Sequence, residues 1–257
     1  MGTLIVTDIT DHVLRIEIDR PDKKNALTVD MYAEMAAALR QAASDTAVRV
    51  VLLHGQPQIF TSGNDIADFM DASTGLGEDR PVFDFLRAIS TSSKPIVAAV
   101  NGSAIGIGTT LLLHCDFVYA GESARFQLPF VNLALVPEAA STLLLPAIIG
   151  YRRAAELLLF GDAFSAAKAR EYGLVTDVVA DGDVLNVAHA AARKLAAKPP
   201  AALRLTKMLL KQATADAVAK QMSEELRHFA NQRGSPEAAE AFRAFFEKRA
   251  PDFSKFD

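Results

Sequence analysis

Apolar and polar residues alternate from Val13 to Ile18, with Val13, Arg15 and Glu17 on one side and Leu14, Ile16 and Ile18 on the other. A period of two predicts a strand with one polar face. Leu4–Val6 reads as a strand before it, and Val48–Leu53, apolar throughout, as a strand covered on both faces. Between them, Thr28–Ser44 has helical spacing: Thr28 suits an N-cap, and Met31, Met35, Ala38 and Leu39 form one apolar stripe. The alternation then repeats. Pro95–Val100 is a short apolar strand, Asn101-Gly102 breaks it, Gly108–His114 is an apolar helix and Phe117–Ala120 a strand, with a turn over Gly121–Ser123. Strands separated by helices predict an α/β domain with parallel pairing.

Beyond that point the spacing is mostly helical. Helices are expected over Glu138–Ile149, Arg152–Phe160 and Ser165–Tyr172, a strand over Leu174–Val179, then helices Val184–Ala197, Ala201–Ala213, Asp216–Asn231 and Pro236–Lys248. Lys198-Pro199-Pro200 is a break. It divides the chain into a core domain, 1–198, and a C-terminal helical region, 199–257.

Composition narrows the partners. The 27 Lys and Arg against 31 Asp and Glu give a net charge of −4, which offers no general attraction to nucleic acid or anionic membranes. An anionic ligand must therefore be met by local donors. The single cysteine, Cys115, lies in an apolar run and reads as a core residue; one thiol excludes a disulfide framework and a multi-cysteine metal site. The first residues read as strand and not as a signal segment, and no run reaches the roughly 18 apolar residues of a membrane span. The expectation is a soluble, cytoplasmic protein.

Three segments carry candidate chemistry. Phe60-Thr61-Ser62-Gly63-Asn64-Asp65 follows a strand and precedes an apolar run with helical spacing at Ile66, Phe69 and Met70; its small residues suit either a capped turn or a loop with free amides close to an anion. Asn101–Gly108 has the same character and lacks the third glycine of a dinucleotide fingerprint. Glu138, after Leu135-Val136-Pro137, is a carboxylate in apolar sequence. It suits a general base of raised pKa or an ordinary helix start with proline in the first position. The five histidines form no metal-ligand spacing and no nucleophile–base order.

Taken together, the order of these segments is specific. Ile18-Asp19-Arg20-Pro21 with Asn25-Ala26-Leu27, Ser62-Gly63-Asn64-Asp65, Lys94-Pro95 with Asn101-Gly102 and Gly106, and Asp116–Ala120 resemble the crotonase (enoyl-CoA hydratase/isomerase) superfamily. The likeness continues through Ala166–Ala169 and Tyr172–Val175 to Phe246–Arg249. It implies a spiral of ββα units with a C-terminal helical trimerisation region, and homo-trimers often paired into hexamers. It implies an acyl-CoA thioester substrate, no separate cofactor and no metal. By motif position the oxyanion hole would be the N–H groups of Asn64 and Ile107. Lys24, Ala26, Leu27, Ser62, Gly63, Asp65, Ile66, Gly106 and Phe130 would bind substrate, and Lys248 a CoA phosphate, often from a neighbouring subunit.

Within the superfamily, the two glutamates of the hydratases fall on Thr110 and Phe130. Glu138 instead resembles the single catalytic glutamate of peroxisomal-type Δ3,Δ2-enoyl-CoA isomerases. That resemblance implies removal of a C2 proton by Glu138, an enolate held by Asn64 and Ile107, and return of the proton at C4. Residual hydratase activity, a carboxylate nucleophile as in 4-chlorobenzoyl-CoA dehalogenase, and an RNA-binding relative are the alternatives. Phe69, Met70, Phe83 and Phe130 are candidates for an acyl tunnel.

Overall fold

The computed structural model describes residues 4–67 and 80–256. Phe69 and Met70 therefore lie outside the described residues. Among these, strands β1 (Ile5–Thr10), β2 (Val13–Ile18), β3 (Val50–His54), β4 (Ile96–Val100), β6 (Phe117–Gly121) and β9 (Asp177–Val179) form one sheet in that order. β1 and β2 pair antiparallel and every later pair is parallel. A second small sheet joins β5 (Ser103–Ile105), β7 (Arg125–Gln127) and β8 (Phe164–Ser165). Sequence periodicity gave no sign of these three, because two or three residues are too few to show a period.

The middle of the main sheet, β3 and β4, is buried on both faces, as the continuous apolar run in β3 requires. Val51 and Leu53 join Ile16, Ile18, Ala98 and Val100 in the larger core, under helix α1 (Val29–Ser44). Thr28 caps α1, accepting from Met31 N–H at 3.3 Å. Val50 and Leu52 face the other way with Val13 and Val97, beneath a later helix that offers Val184, Ala188, Ala192 and Ala196. Alanine at every fourth position lets that helix lie close to the sheet.

Helix α2 (Pro81–Ser90) is absent from the sequence reading, although Val82, Phe83, Phe85, Leu86 and Ile89 follow helical spacing. The apolar stretch expected as one helix over Gly108–His114 is split into α3 (Ile107–Thr110) and a 3-10 turn, Leu111–His114. Helix α4 covers Ser141–Ile149, so Glu138 precedes it. The remaining helices are α5 (Tyr151–Ala155), continued by a π-helical turn to Phe160, α6 (Ala166–Tyr172), α7 (Val184–Ala196), α8 (Pro200–Gln212), α9 (Ala215–Arg233) and α10 (Pro236–Glu247).

The last helices dock on their own core. Lys207 of α8 is buried and donates to Asp116 Oδ2 and to the Lys94 carbonyl, both at 2.7 Å. Met222 and Phe229 of α9 and Phe242 of α10 belong to the same hydrophobic cluster as the sheet. Cys115 packs against that cluster, and burial, then Asp116, push its thiol up to about 12, which leaves it unreactive. Among the described residues no helix is long and apolar enough to cross a membrane.

Candidate active site

Two loops meet through short stretches of parallel pairing. Thr61 N–H donates to Ser103 O at 2.9 Å, and Ile105 N–H to Thr61 O at 3.1 Å. Leu27 N–H donates to Gly63 O at 2.8 Å and its carbonyl accepts from Asp65 N–H at 2.9 Å. Residues 63 and 65 thus face Leu27, and the residue between them turns its peptide groups the other way. Among the described residues the Asn64 N–H has no acceptor.

The turn that presents Leu27 is built on Asn25, which is fully buried. Its Oδ1 accepts from Arg20 N–H at 2.8 Å, and its Nδ2 donates to the carbonyls of Ile18, Ile59 and Phe60 at 3.0, 3.2 and 3.1 Å. Ser62 N–H bonds the Lys24 carbonyl at 3.1 Å. The Arg20 guanidinium reaches both Ala26 O at 2.9 Å and Asp65 at 2.6 Å. Lys24, Ala26, Leu27, Ser62, Gly63 and Asp65 are therefore one folded unit. The Asp65 side chain is spent on Arg20 and on Ala67 N–H, so it holds the loop.

Gly106 supplies the second amide. Its own N–H donates to Gln127 O at 2.9 Å, and its φ of 57° and ψ of −117° suit glycine alone. The next peptide is swung outward, and Ile107 N–H, at the start of α3, has no acceptor among the described residues. A Cβ on Gly63 would lie 2.9 Å from the Ile105 carbonyl oxygen, so glycine there lets the two loops touch.

Among the described residues, Ile107 is not in the lining of the cavity that Asn64 shares with Glu138. The helix expected to begin at this residue starts three positions later, because Ala139 and Ala140 take φ of 63° and 55°. Left-handed backbone costs an alanine about 1–2 kcal/mol, and it persists only when surroundings impose it. Two side chains do so. His114 Nε2 lies 2.9 Å from Ala139 O; the carbonyl can only accept, so Nε2 carries the proton. Burial, then nearby Lys211, push this ring down to about 4, keeping it neutral. Glu225 of α9 accepts from Ala140 N–H at 2.6 Å and Thr142 N–H at 3.0 Å.

Glu138 is 8% exposed, and its Oε1 has no hydrogen-bond partner. Burial, then the charge of Glu225, push its carboxyl up to about 8. It shares a cavity of about 60 Å³ with Asn64, Val82, Phe83, Leu86, Met222, Leu226 and Phe229, with Arg80 also in the lining. Tyr32 donates to Asn64 Oδ1; burial, then Glu138, hold its phenol well above its usual range, so it remains a neutral donor. A weakly acidic carboxyl, two free amides and an apolar wall can polarise an oxygen and move a proton on the adjoining carbon.

The raised pKa has a stability consequence. The fold favours protonated Glu138, so its contribution is intact below about pH 4.5 and is lost as pH rises toward 8. Glu138→Gln, neutral throughout, is expected to melt several degrees above the parent at pH 9 and close to it at pH 5. Equal thermal midpoints at both pH values would contradict this.

Phe83 lines the cavity, whereas Phe130 is buried in the core and takes no part in that lining. Thr110, the last residue of α3, is buried. Ile66 packs at the edge of the core, at the end of the loop unit. Lys248 is exposed at the C-cap of α10, and the single chain does not bring it to this cavity. The sequence reading missed Tyr32, Arg80, His114 and the α9 face. An acid within the stripe Met222, Glu225, Leu226, Phe229 was the available signal for the last. Among the described residues no group of three or more His, Cys, Asp or Glu is placed to hold a metal.

The family model for enoyl-CoA hydratase/isomerase matches residues 8–255. The chain is 34% identical over 255 residues to 2,3-dehydroadipyl-CoA hydratase of Escherichia coli K12, covering 98% of this chain and 99% of that one. It is 35% identical over 215 residues to enoyl-CoA delta isomerase 2 of Homo sapiens, covering 81% of this chain and 54% of that one. A crystal structure of an enoyl-CoA hydratase/isomerase from Pseudoalteromonas atlantica T6c superimposes with a TM-score of 0.93 at 42% identity, covering 98% of this chain and all of that one.

Proposed function

The chain belongs to the enoyl-CoA hydratase/isomerase family, and on that premise we propose that it is a Δ3,Δ2-enoyl-CoA isomerase. The carrying observation is that, among the described residues, Glu138 is the one carboxyl group in the cavity lining; by the resemblance, the neutral Thr110 and Phe130 fall at the two hydratase glutamate positions. Hydration must activate a water and also deliver a proton to Cα. Moving a double bond from C3–C4 to C2–C3 needs a single group that takes a proton and gives it back.

In the proposed reaction the thioester oxygen sits between the Asn64 and Ile107 amides. Glu138 removes the C2 proton, charge passes to that oxygen, and the protonated carboxyl returns the proton at C4. A base near pH 8 is better matched to a carbon acid than an ordinary carboxylate would be. The apolar side chains from α2 and α9 would hold the acyl tail. The 24–27 and 62–66 loops, with Gly106, would hold coenzyme A, with Lys248 reaching a phosphate. Exposed Leu205, Met208 and Leu209 on α8 and Phe245 and Phe246 on α10 support a homo-trimer or hexamer through the C-terminal region.

Incubation with 3-hexenoyl-CoA and with crotonyl-CoA tests the reading. Formation of 2-hexenoyl-CoA should exceed hydration of crotonyl-CoA by at least about a hundredfold in kcat/KM, given that a missing acid–base group costs on the order of 10²–10⁴. Comparable or faster hydration would replace the isomerase reading with a hydratase one.

A further inference from the structure

One face of α9 serves both the cavity and the turn that bears Glu138. Met222, Leu226 and Phe229 line the cavity, and Glu225 lies in the same stripe. Glu225 is 4% exposed, and among the described residues it pairs with no Lys or Arg. Its charge is met by Ala140 N–H, Thr142 N–H and the Thr142 hydroxyl, which itself accepts from Gln221 Nε2 at 2.8 Å. A buried carboxylate normally seeks a cation. This one is held by amides two and four residues beyond Glu138, in a turn whose alanines have left-handed backbone.

Building on the isomerase reading, we propose that Glu225 is a positioning residue for Glu138: it fixes the strained 139–142 turn that aims the base into the cavity, and it sets a second negative charge behind that base. Among the described residues, the other titratable or charged groups around Glu138 are Tyr32 from α1, Arg80 before α2, and His114 after α3 with Lys211 beyond it. Tyr32 and His114 are neutral near pH 7. Glu225 is then the group whose neutralisation changes the field at Glu138 with least change of shape. Burial raises its own pKa, and its three donors oppose that rise.

Carbon-13 NMR of full-length protein labelled at the glutamate carboxyls reads Glu138 directly, with Glu138→Gln to assign the signal. In Glu225→Gln the Glu138 midpoint is expected to fall by on the order of one pH unit, the effect of removing a like charge nearby. The acid limb of kcat/KM for 3-hexenoyl-CoA should move with it. A cap with only a structural role would leave the midpoint in place, and that result overturns the proposal. Glu225→Asp keeps the charge but is one carbon short of spanning Ala140 and Thr142. It should lower kcat about tenfold with KM within about threefold, as expected for a misaimed base; kcat within twofold of the parent overturns the positioning role and decides the matter if the glutamine variant does not fold. Failure to turn over 3-hexenoyl-CoA counts against the isomerase reading alone, since the NMR midpoint does not depend on the reaction.

Discussion

Glu138→Gln is expected to reduce kcat for isomerisation of 3-hexenoyl-CoA by about 10³–10⁴, with little change in KM. Glutamine preserves the shape of the turn and removes only the ability to carry a proton. Among the described residues around the cavity none is placed to substitute. Tyr32 is buried and held neutral, and His114 Nε2 is committed to the Ala139 carbonyl. The same assignment fixes the pH profile. The base works ionised, and burial with Glu225 holds it near 8, so kcat/KM should rise about tenfold per unit up to roughly pH 8 and then level. Appearance of the conjugated enoyl thioester, followed by ultraviolet absorbance from pH 6 to 9, measures both. Activity in the variant within tenfold of the parent, or a limb near pH 4.5, would remove Glu138 from the mechanism.

The sequence was informative where a pattern repeats and silent where one residue decides. Strand β2 and helix α1 were legible because six and sixteen residues suffice to show a period, and Thr28 marked the helix start as caps do. The turn at Glu138 was misread as a helix because Pro137 followed by a glutamate and two alanines is locally ideal for one. What prevents it is a carboxylate on α9, 85 positions beyond Ala140, and a histidine on the turn after α3. No window of local sequence contains those contacts. The cavity wall suffered likewise: Leu226 and Phe229 look like any amphipathic stripe until α9 and α2 line the same cavity. Recognition of the motif series located the two loops, yet the reason Asn64 and Ile107 have free amides lies in the pairing of Leu27 with 63 and 65 and in one glycine torsion.

That torsion carries the second large effect. Gly106→Ala is expected to leave the protein folded and to lower kcat by about 10²–10³, the loss recorded when one oxyanion donor is removed. Folding should survive because a Cβ at this position meets no atom within 4 Å. The conformation does not survive. At φ 57° and ψ −117° an L-residue is strained by about 1–3 kcal/mol, and because all four residues of α3 are buried the relaxation falls on the peptide that precedes it. The peptide between 106 and 107 then rotates, and the Ile107 N–H no longer points where charge develops on the thioester oxygen. Because that amide acts chiefly on the enolate, kcat should suffer far more than KM. Gly63→Ala makes a useful contrast, since its Cβ would sit 2.9 Å from the Ile105 carbonyl at φ 92°, and it should cost stability as well as rate. Thermal melts beside steady-state kinetics separate the two cases, and a Gly106→Ala enzyme with full kcat would show that the Ile107 amide holds no charge in the transition state.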